Sequence, residues 1–126
     1  MVIQTALEKY KLEAADPIQV LAHVGGLDIA GLTGMCIGGA LHKMPIVMDG
    51  AISAIAALAA ERIAPGVKGY LIPSHLSREP VAKRIMAELD VFPVIDGDMA
   101  LGEGTGAVMM LALLDVALSV YVGNDL

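Results

Sequence analysis

The sequence predicts an α/β fold in which helices cover both faces of a parallel β-sheet. From residue 45 onward, short apolar runs alternate with longer runs of helical character. Each apolar run ends in a loop of glycine or polar residues, and a helix follows that loop. Strands that alternate with helices in this way pair in parallel, and the connecting helices pack on the sheet. The length of 126 residues suits one domain with a buried core.

Three helices are predicted ahead of the first strand. Residues 2–14 carry apolar side chains at helical spacing. Asp16 followed by proline is a start signal for a short helix over Pro17–Val24, and the glycines after Val24 end that helix. Asp28 stands where an N-cap would precede a third helix over residues 29–42. Each glycine in that helix costs roughly 1 kcal/mol relative to alanine, so we expect the helix to pack tightly.

Two strand–loop–helix units follow these helices. The first has a strand over residues 45–48, an Asp-Gly dipeptide and an alanine-rich helix over Ala51–Ile63. The second has a strand over residues 69–72, the loop PSHLS and a helix over residues 78–89. Both units show the pattern that is typical of a parallel sheet with crossover helices.

A third unit carries a weaker signal. It has a strand over residues 91–95, a loop over residues 96–102 and a helix from Gly104 onward. Ligands of open parallel sheets bind at the carboxyl ends of the strands, so the loops after the three strands form the candidate site. Those loops cover residues 49–50, 74–77 and 98–103.

Charge and hydropathy argue against two classes of protein. The net charge is −6 and the eight basic residues are scattered, so no basic stripe could neutralise a nucleic-acid backbone. Hydrophobic residues make up 56% of the chain, and the mean hydropathy is +0.71. The apolar runs over residues 29–41, 50–60 and 104–114 are nevertheless shorter than the roughly 20 residues that a membrane span needs. We therefore expect neither a nucleic-acid partner nor a membrane span.

Cysteine and histidine usage narrows the chemistry. Cys36 is the only cysteine, so no intrachain disulfide can form and a cytoplasmic location is expected. Cys36 lies among apolar residues, which favours an inert position in the core. His23, His42 and His75 are too widely spaced to predict a metal site. No Walker or dinucleotide-binding glycine fingerprint follows a predicted strand, so the sequence predicts neither of these two nucleotide-binding folds.

Polar side chains at the predicted helix starts allow two interpretations each. Asp49 either caps the helix that begins at Ala51 or contributes to a ligand site, and Asp28 has the same ambiguity. Ser77 either caps the helix over residues 78–89 or binds a phosphate or ribose. A helix N-terminus attracts anions because its N–H groups are free and the helix dipole is positive there. The residues alone leave both alternatives open.

Glu103 is harder to explain as a capping residue. It lies in the sequence LGEGTGA, between glycines and directly ahead of an apolar run. An acid at this point would complement the dipole of the following helix. Capping does not require glycine on both sides, however. Gly102, Gly104 and Gly106 remove side chains around the carboxylate, which would allow a flat ligand or another backbone to approach closely.

Four motifs, VGGLDIAGLTG, PIVMDGAIS, YLIPSHLS and LGEGTGA, occur in this order along the chain. Together they resemble the nicotinate-nucleotide:dimethylbenzimidazole phosphoribosyltransferases over about residues 16–118. The resemblance implies a Rossmann-like parallel sheet with helices on both faces, as a fragment of a larger two-domain enzyme. Residues 1–126 would be the C-terminal part of the catalytic domain, and the enzyme would be a homodimer.

The resemblance also implies the reaction. In this family, 5-phosphoribose passes from nicotinate mononucleotide to 5,6-dimethylbenzimidazole or a related base. The products are α-ribazole 5'-phosphate and nicotinate, and the reaction serves assembly of the cobalamin nucleotide loop without a metal or organic cofactor. The glutamate of the LGEG motif, which aligns with Glu103, acts as general base. Met99, Leu101 and Gly102 would surround the flat base.

Five further positions take roles from the same resemblance. Asp28 and Asp49 match the acids of the family's GG-D and DG motifs, and we expect them to contact the ribose and stabilise its positive charge. Gly50 and Ala51 would offer backbone N–H groups to the nucleotide. Ser77 matches the serine that contacts the phosphate.

Two departures from the family pattern limit these expectations. Ala100 stands where the family often has arginine. The family's second glutamate and its phosphate-binding lysine and glycine belong to segments that precede the matched part, so this chain would hold half of a site. An alternative function is therefore a folded, non-catalytic module that dimerises through its helices rich in glycine and alanine.

Overall fold

A computed structural model describes residues 2–100 and 102–123 of the chain. Six α-helices and two β-strands make up this part, with short 3-10 turns at Leu12–Ala14 and Val67–Tyr70. In chain order the elements are α1 (Val2–Tyr10), α2 (Pro17–Val24), α3 (Leu27–Leu41), β1 (Ile46–Met48), α4 (Ala51–Ile63), β2 (Leu71–Pro73), α5 (Pro80–Leu89) and α6 (Thr105–Val122).

The two strands pair in parallel, as the alternation of strands and helices predicts. Ile46 lies opposite Leu71, and Met48 lies opposite Pro73. A strand–helix–strand unit thus joins β1 to β2 through α4. The α/β class is confirmed, with a sheet that is small in the described residues.

The predicted third strand over residues 91–95 is wrong. Only Ile95 reaches the sheet, where it forms an isolated parallel bridge with His75. The N–H of Ile95 donates to the carbonyl of Ser74 at 3.0 Å. Pro93 has no N–H to donate to a ladder, and Phe92 is 82% exposed, so this stretch buries too little apolar surface to form a strand.

The core lies between the strands and the helices α3, α4 and α5. Four alanines of α4 are completely buried, and their small side chains let neighbouring elements approach closely. The hydroxyl of Thr33 in α3 lies 2.8 Å from the carbonyl oxygen of Ile29 in the same helix and 3.3 Å from that of Ala56 in α4, so it contacts both helices. Cys36 is buried in the same core. Burial raises the pKa of the Cys36 thiol, which keeps it protonated and unreactive.

The glycines of α3 do not all serve close packing. A Cβ at Gly39 would lie 2.5 Å from Cδ1 of Ile46, so this position needs glycine for the contact with β1. Gly31, Gly34 and Gly38 have no non-local atom of the described residues within 4 Å of such a Cβ. The expected tight packing is therefore present at one end of the helix.

Helix starts follow local signals only in part. Asp16 caps α2, since one carboxylate oxygen accepts the N–H groups of Ile18 at 2.9 Å and Gln19 at 3.0 Å. Asp28 is not the N-cap of α3, because the helix begins earlier, at Leu27, after the cap residue Gly26. Asp28 lies in the first turn instead, where an acid complements the helix dipole.

Two other helix boundaries also differ from prediction. The predicted helix over residues 2–14 ends at Tyr10, because Lys11 takes a left-handed conformation with φ of 52°. The helix α5 begins at Pro80 after the cap residue Glu79, so Ser77 is not its N-cap. Proline suits the first helical position and disfavours helical geometry in the preceding residue, which fixes the start of α5.

The helix α6 is longer than the apolar run over residues 104–114 indicated. It has 18 residues and continues through Asp115 to Val122, because apolar residues resume directly after that single acid. Within the described residues it is the one helix whose length and hydropathy would suffice to cross a membrane. Only 11% of its residues are buried. An exposed apolar helix of this kind is also typical of an element that another part of a protein covers.

We expect Asp16→Ala to destabilise the chain by about 1 kcal/mol, because two N–H groups at the start of α2 lose their acceptor. Urea unfolding followed by circular dichroism measures the change. Asp16→Asn, which keeps an oxygen acceptor, is the matched control and should retain most of the stability. Equal stability of Asp16→Ala and the parent chain would contradict the capping role.

Candidate active site at the carboxyl ends of the strands

A cleft of about 300 Å³ opens where β1 and β2 end. This volume is at the lower end of the range for small-molecule sites. Backbone and side chains from four loops or helix starts line it. The lining residues are Asp49, Gly50, Ala51, Ile52, Ser53, His75, Ser77, Arg78, Glu79, Ala100, Gly102 and Glu103.

Asp49 caps α6 rather than α4. One carboxylate oxygen accepts the N–H of Gly104 at 3.2 Å, and the other accepts the N–H of Ala107 at 3.1 Å. The cap residue of α4 is Gly50, so the prediction that Asp49 caps this helix is wrong. A loop far along the chain supplies the N–H groups, so local sequence could not reveal this partner. Asp49 thereby joins the end of β1 to the start of α6.

Ser53 orders the turn between β1 and α4. Its hydroxyl donates to the carbonyl of Gly50 at 2.8 Å and accepts the N–H of Asp49 at 2.9 Å. The first-turn N–H groups of a helix have no partner within the helix. At the start of α4 these groups belong to residues that line the cleft, and an anion is favoured in such a position.

Glu103 is displayed on a turn directly before α6. Its φ is 63°, and Gly104 follows with φ of 81°, so two consecutive residues have left-handed geometry. This geometry costs energy for a residue that is not glycine. The side chain of Glu103 is exposed at the cleft, and within residues 2–100 and 102–123 its carboxylate has no hydrogen bond or ion pair. The carboxylate is therefore available to a ligand.

Ser74 and His75 lie beneath the cleft at the end of β2. Their exposed fractions are 0% and 2%. Nδ1 of His75 lies 3.1 Å from Oγ of Ser74 and 4.0 Å from a carboxylate oxygen of Asp49. The imidazole ring also packs against Gly106 of α6, where an added Cβ would overlap Nδ1. This buried cluster joins β1, β2 and α6.

Ser77 and Arg78 also line the cleft. Ser77 is half-buried, and its hydroxyl accepts the N–H of Glu79 at 3.4 Å. Arg78 is mostly exposed and pairs with Asp98 at 3.2 Å. One hydroxyl and one guanidinium thus belong to residues that line the same cleft as the start of α4, and both groups can bind a phosphate oxygen.

The structure brings together six of the nine predicted site residues. They are Asp49, Gly50, Ala51, Ser77, Gly102 and Glu103. Asp28 lies at the start of α3 and Met99 is half-buried next to Gly97, and neither lines the cleft. Leu101 lies outside the described residues. Among those that are described, no group of three or more His, Cys, Asp or Glu side chains could hold a metal ion.

Sequence reasoning missed Ser53, Arg78 and, above all, His75 as residues of this region. His75 follows β2 directly, at the edge of the sheet where the candidate site was expected. That position is the sequence signal that could have indicated a role for His75 in the site. The spacing of the three histidines addresses only whether they could bind a metal. Its contacts with Asp49 and Gly106 depend on tertiary structure and leave no local pattern.

The fold and the cleft define an α/β protein with a ligand-binding or catalytic site at the carboxyl ends of parallel strands. Comparison with known proteins is more specific. The family described as phosphoribosyltransferase matches residues 1–124. The chain belongs to this phosphoribosyltransferase family.

Similar proteins agree with that assignment. The chain is 49% identical over 121 residues to the nicotinate-nucleotide–dimethylbenzimidazole phosphoribosyltransferase of Clostridium acetobutylicum, covering 96% of this chain and 34% of that protein. The enzyme of the same name from Ruminiclostridium cellulolyticum is 47% identical, with coverage of 95% and 34%. The crystal structure of CobT from Thermus thermophilus superposes with a TM-score of 0.86 at 36% identity, covering 94% of this chain and 35% of that one. The chain thus spans about a third of the length of the curated relatives it matches.

Proposed function

We propose that this chain supplies the C-terminal part of the active site of a nicotinate-nucleotide:dimethylbenzimidazole phosphoribosyltransferase. The observation that carries the proposal is the carboxylate of Glu103, which has no partner within the described residues and lines the same cleft as the first-turn residues of α4. The cleft thus offers a base and an anion site. A phosphoribosyl transfer to a nitrogen heterocycle needs both.

Glu103 is the proposed general base. One ring nitrogen of dimethylbenzimidazole bonds to C1' of the phosphoribosyl group, and the bond from C1' to the pyridinium nitrogen breaks. The electron pair of that bond returns to the pyridine ring of nicotinate, which leaves. The proton on the other benzimidazole nitrogen passes to the Glu103 carboxylate. Because the exposed carboxylate has no partner within the described residues, it is free to accept this proton.

The glycines around Glu103 suit a flat substrate. Gly102 and Gly104 have no non-local atom of the described residues within 4 Å of an added Cβ. The space beside the carboxylate is therefore open to an aromatic ring. Met99 and Leu101 remain proposed contacts of the base.

Charge in the cleft supports the transfer itself. Departure of nicotinate leaves positive charge on the ribose, and a carboxylate near it stabilises that charge. Asp49 lines the cleft and is the proposed source of this stabilisation, with Asp28 as a further proposed ribose contact. We assign the 5'-phosphate to the start of α4, where the N–H groups near Gly50 and Ala51 and the hydroxyl of Ser77 face the cleft.

The assembled enzyme is proposed to be a cytoplasmic homodimer that needs no metal and no organic cofactor. A free buried thiol at Cys36 fits a reducing compartment. The exposed apolar side chains of α6, and the open space beside Gly31, Gly34 and Gly38 of α3, are surfaces on which another protein chain could pack. Neither nucleic acid nor a membrane is among the proposed partners.

A second candidate is a folded module without catalysis of its own. Its support is the small cleft and the coverage of about a third of each relative. Under this alternative the chain folds, associates through its helices, and binds nucleotide weakly or not at all. The two candidates differ in what they predict for the isolated chain and for a completed protein.

A chimera tests the proposal and separates the alternatives. The chain replaces the matching third of the Clostridium acetobutylicum relative, and chromatography with mass spectrometry measures α-ribazole 5'-phosphate formed from nicotinate mononucleotide and dimethylbenzimidazole. We expect turnover within about tenfold of the parent enzyme. The isolated 126-residue chain is the control and should show little or no turnover. An inactive but folded and soluble chimera would overturn the proposal.

A further inference from the structure

We propose that His75 is a positioning residue for Glu103. Its imidazole ring fixes the start of α6 through Asp49 and Gly106, and so sets where the Glu103 carboxylate stands in the cleft. The inference rests on the proposed function of Glu103 as base. His75 does not itself touch the reacting atoms in this role.

The orientation of the imidazole ring follows from its contact with Ser74. The Ser74 hydroxyl lies 3.3 Å from the carbonyl oxygen of Asp49 and 3.1 Å from Nδ1 of His75. Nδ1 also lies 4.0 Å from a carboxylate oxygen of Asp49. The Nδ1 edge of the ring thus faces both the Ser74 hydroxyl and a negative group.

The same ring restrains α6 from two directions. Asp49, which faces Nδ1, accepts the N–H groups of Gly104 and Ala107 in the first turn of the helix. Gly106 packs directly on the imidazole, with no room for a Cβ. The start of α6 is therefore held by a hydrogen-bonded carboxylate on one side and by ring contact on the other.

The restraint on α6 affects the position of Glu103, because the backbone of Glu103 has an unfavourable conformation that its surroundings must maintain. Glu103 and Gly104 form a left-handed pair, with φ of 63° and 81°. A non-glycine residue keeps such a conformation only where its surroundings hold it. The N–H and hydroxyl of Thr105 close this turn on the carbonyl of Gly102, and the bond from Gly104 to Asp49 ties the turn to the end of β1. Loss of the ring beneath Asp49 would let the turn relax and move the carboxylate.

Amide exchange in the isolated chain tests the structural half of the proposal. The amide nitrogen of asparagine can take the place of Nδ1 in the ring, whereas that of glutamine reaches the place of Nε2. We expect the exchange rates at Gly104 and Ala107, measured by NMR, to stay within threefold of the parent chain in His75→Asn. They should rise at least tenfold in His75→Gln. Equal rates in the parent and His75→Gln would overturn the proposal.

Kinetics of the chimera test the catalytic half. For His75→Gln we expect kcat to fall at least tenfold while KM for both substrates stays within twofold, and for His75→Asn we expect kcat within threefold of the parent. Equal loss of kcat in both variants, or a loss carried by KM, would overturn the positioning role. If the unmutated chimera lacks transferase activity, the proposed function fails, and amide exchange still decides whether His75 holds α6.

Thermal unfolding is measured for every variant in the amide-exchange and the kinetic experiments, to show that the variant folds. If the two variants at position 75 do not fold, Ser74→Ala takes over the test, because it removes the partner of Nδ1 with a smaller change in volume. It should raise the exchange rates at Gly104 and Ala107 at least threefold with KM unchanged. Unchanged exchange in folded Ser74→Ala would overturn the proposal.

Discussion

Replacing Glu103 with glutamine lowers kcat of the chimera by roughly 10²–10⁴-fold, the usual contribution of a positioned general base. The amide has nearly the same shape as the carboxylate but cannot accept the proton from the benzimidazole nitrogen. The substitution should leave the fold unchanged, because the carboxylate has no partner within the described residues. KM for nicotinate mononucleotide should change little, since its phosphate is assigned to the start of α4.

Glu79→Gln is the matched control for this experiment. Glu79 also lines the cleft, its side chain is exposed, and it makes no capping hydrogen bond with α5. Its variant loses the same charge from the same cleft, so a purely electrostatic effect on substrate binding would appear in both variants. Initial rates of α-ribazole 5'-phosphate formation under saturating substrates provide the comparison. Near-normal turnover of Glu103→Gln would rule out Glu103 as the base.

The second large effect is expected at Gly106. Gly106→Ala should destabilise the chain by about 1–3 kcal/mol or more, since overpacking a buried site forces side chains or backbone to move. The added Cβ would overlap the imidazole of His75, which is itself buried and cannot retreat into solvent. Urea unfolding followed by circular dichroism measures the loss.

Gly34→Ala provides the control for that measurement. Gly34 lies in the interior of α3, and no non-local atom of the described residues comes within 4 Å of an added Cβ. Alanine there should stabilise the helix by up to about 1 kcal/mol. In a double variant, His75→Ala should recover part of the loss caused by Gly106→Ala, because it removes the ring that the methyl group would overlap. Parent-like stability of Gly106→Ala would contradict the close contact.

Local signals were sufficient for several elements of the fold. Pro17–Val24 and Ala51–Ile63 are helices with the predicted bounds, since each has a clear start and a run of good helix formers. The parallel pairing of β1 and β2 also followed from the pattern of strands and helices. The stretch over residues 91–95 failed because alternation of apolar residues does not show whether they become buried.

Capping residues were harder to predict than helices. Asp28, Asp49 and Ser77 each precede or begin a helical run, so each looked like the N-cap of the next helix. Asp49 instead caps α6, far along the chain, and a proline sets the start of α5 beyond Ser77. Local sequence indicates that an acid or serine stands near a helix start, but tertiary structure decides which helix it serves.

The candidate site was predictable to the extent that it depends on strand ends. Glu103, Asp49 and Gly50 were expected near one edge of the sheet, and they line one cleft. His75 could not be assigned its place in the same way, because its partners come from two other elements.

The contact between His75 and Gly106 has a consequence for the history of the family. A side chain gained at position 106 would overlap the residue at position 75 unless that residue were smaller or had moved. The two positions should therefore vary together among relatives, although they stand at different strand–helix units of the chain. Asp49 should be retained wherever both of them are, because all three meet at the first turn of α6.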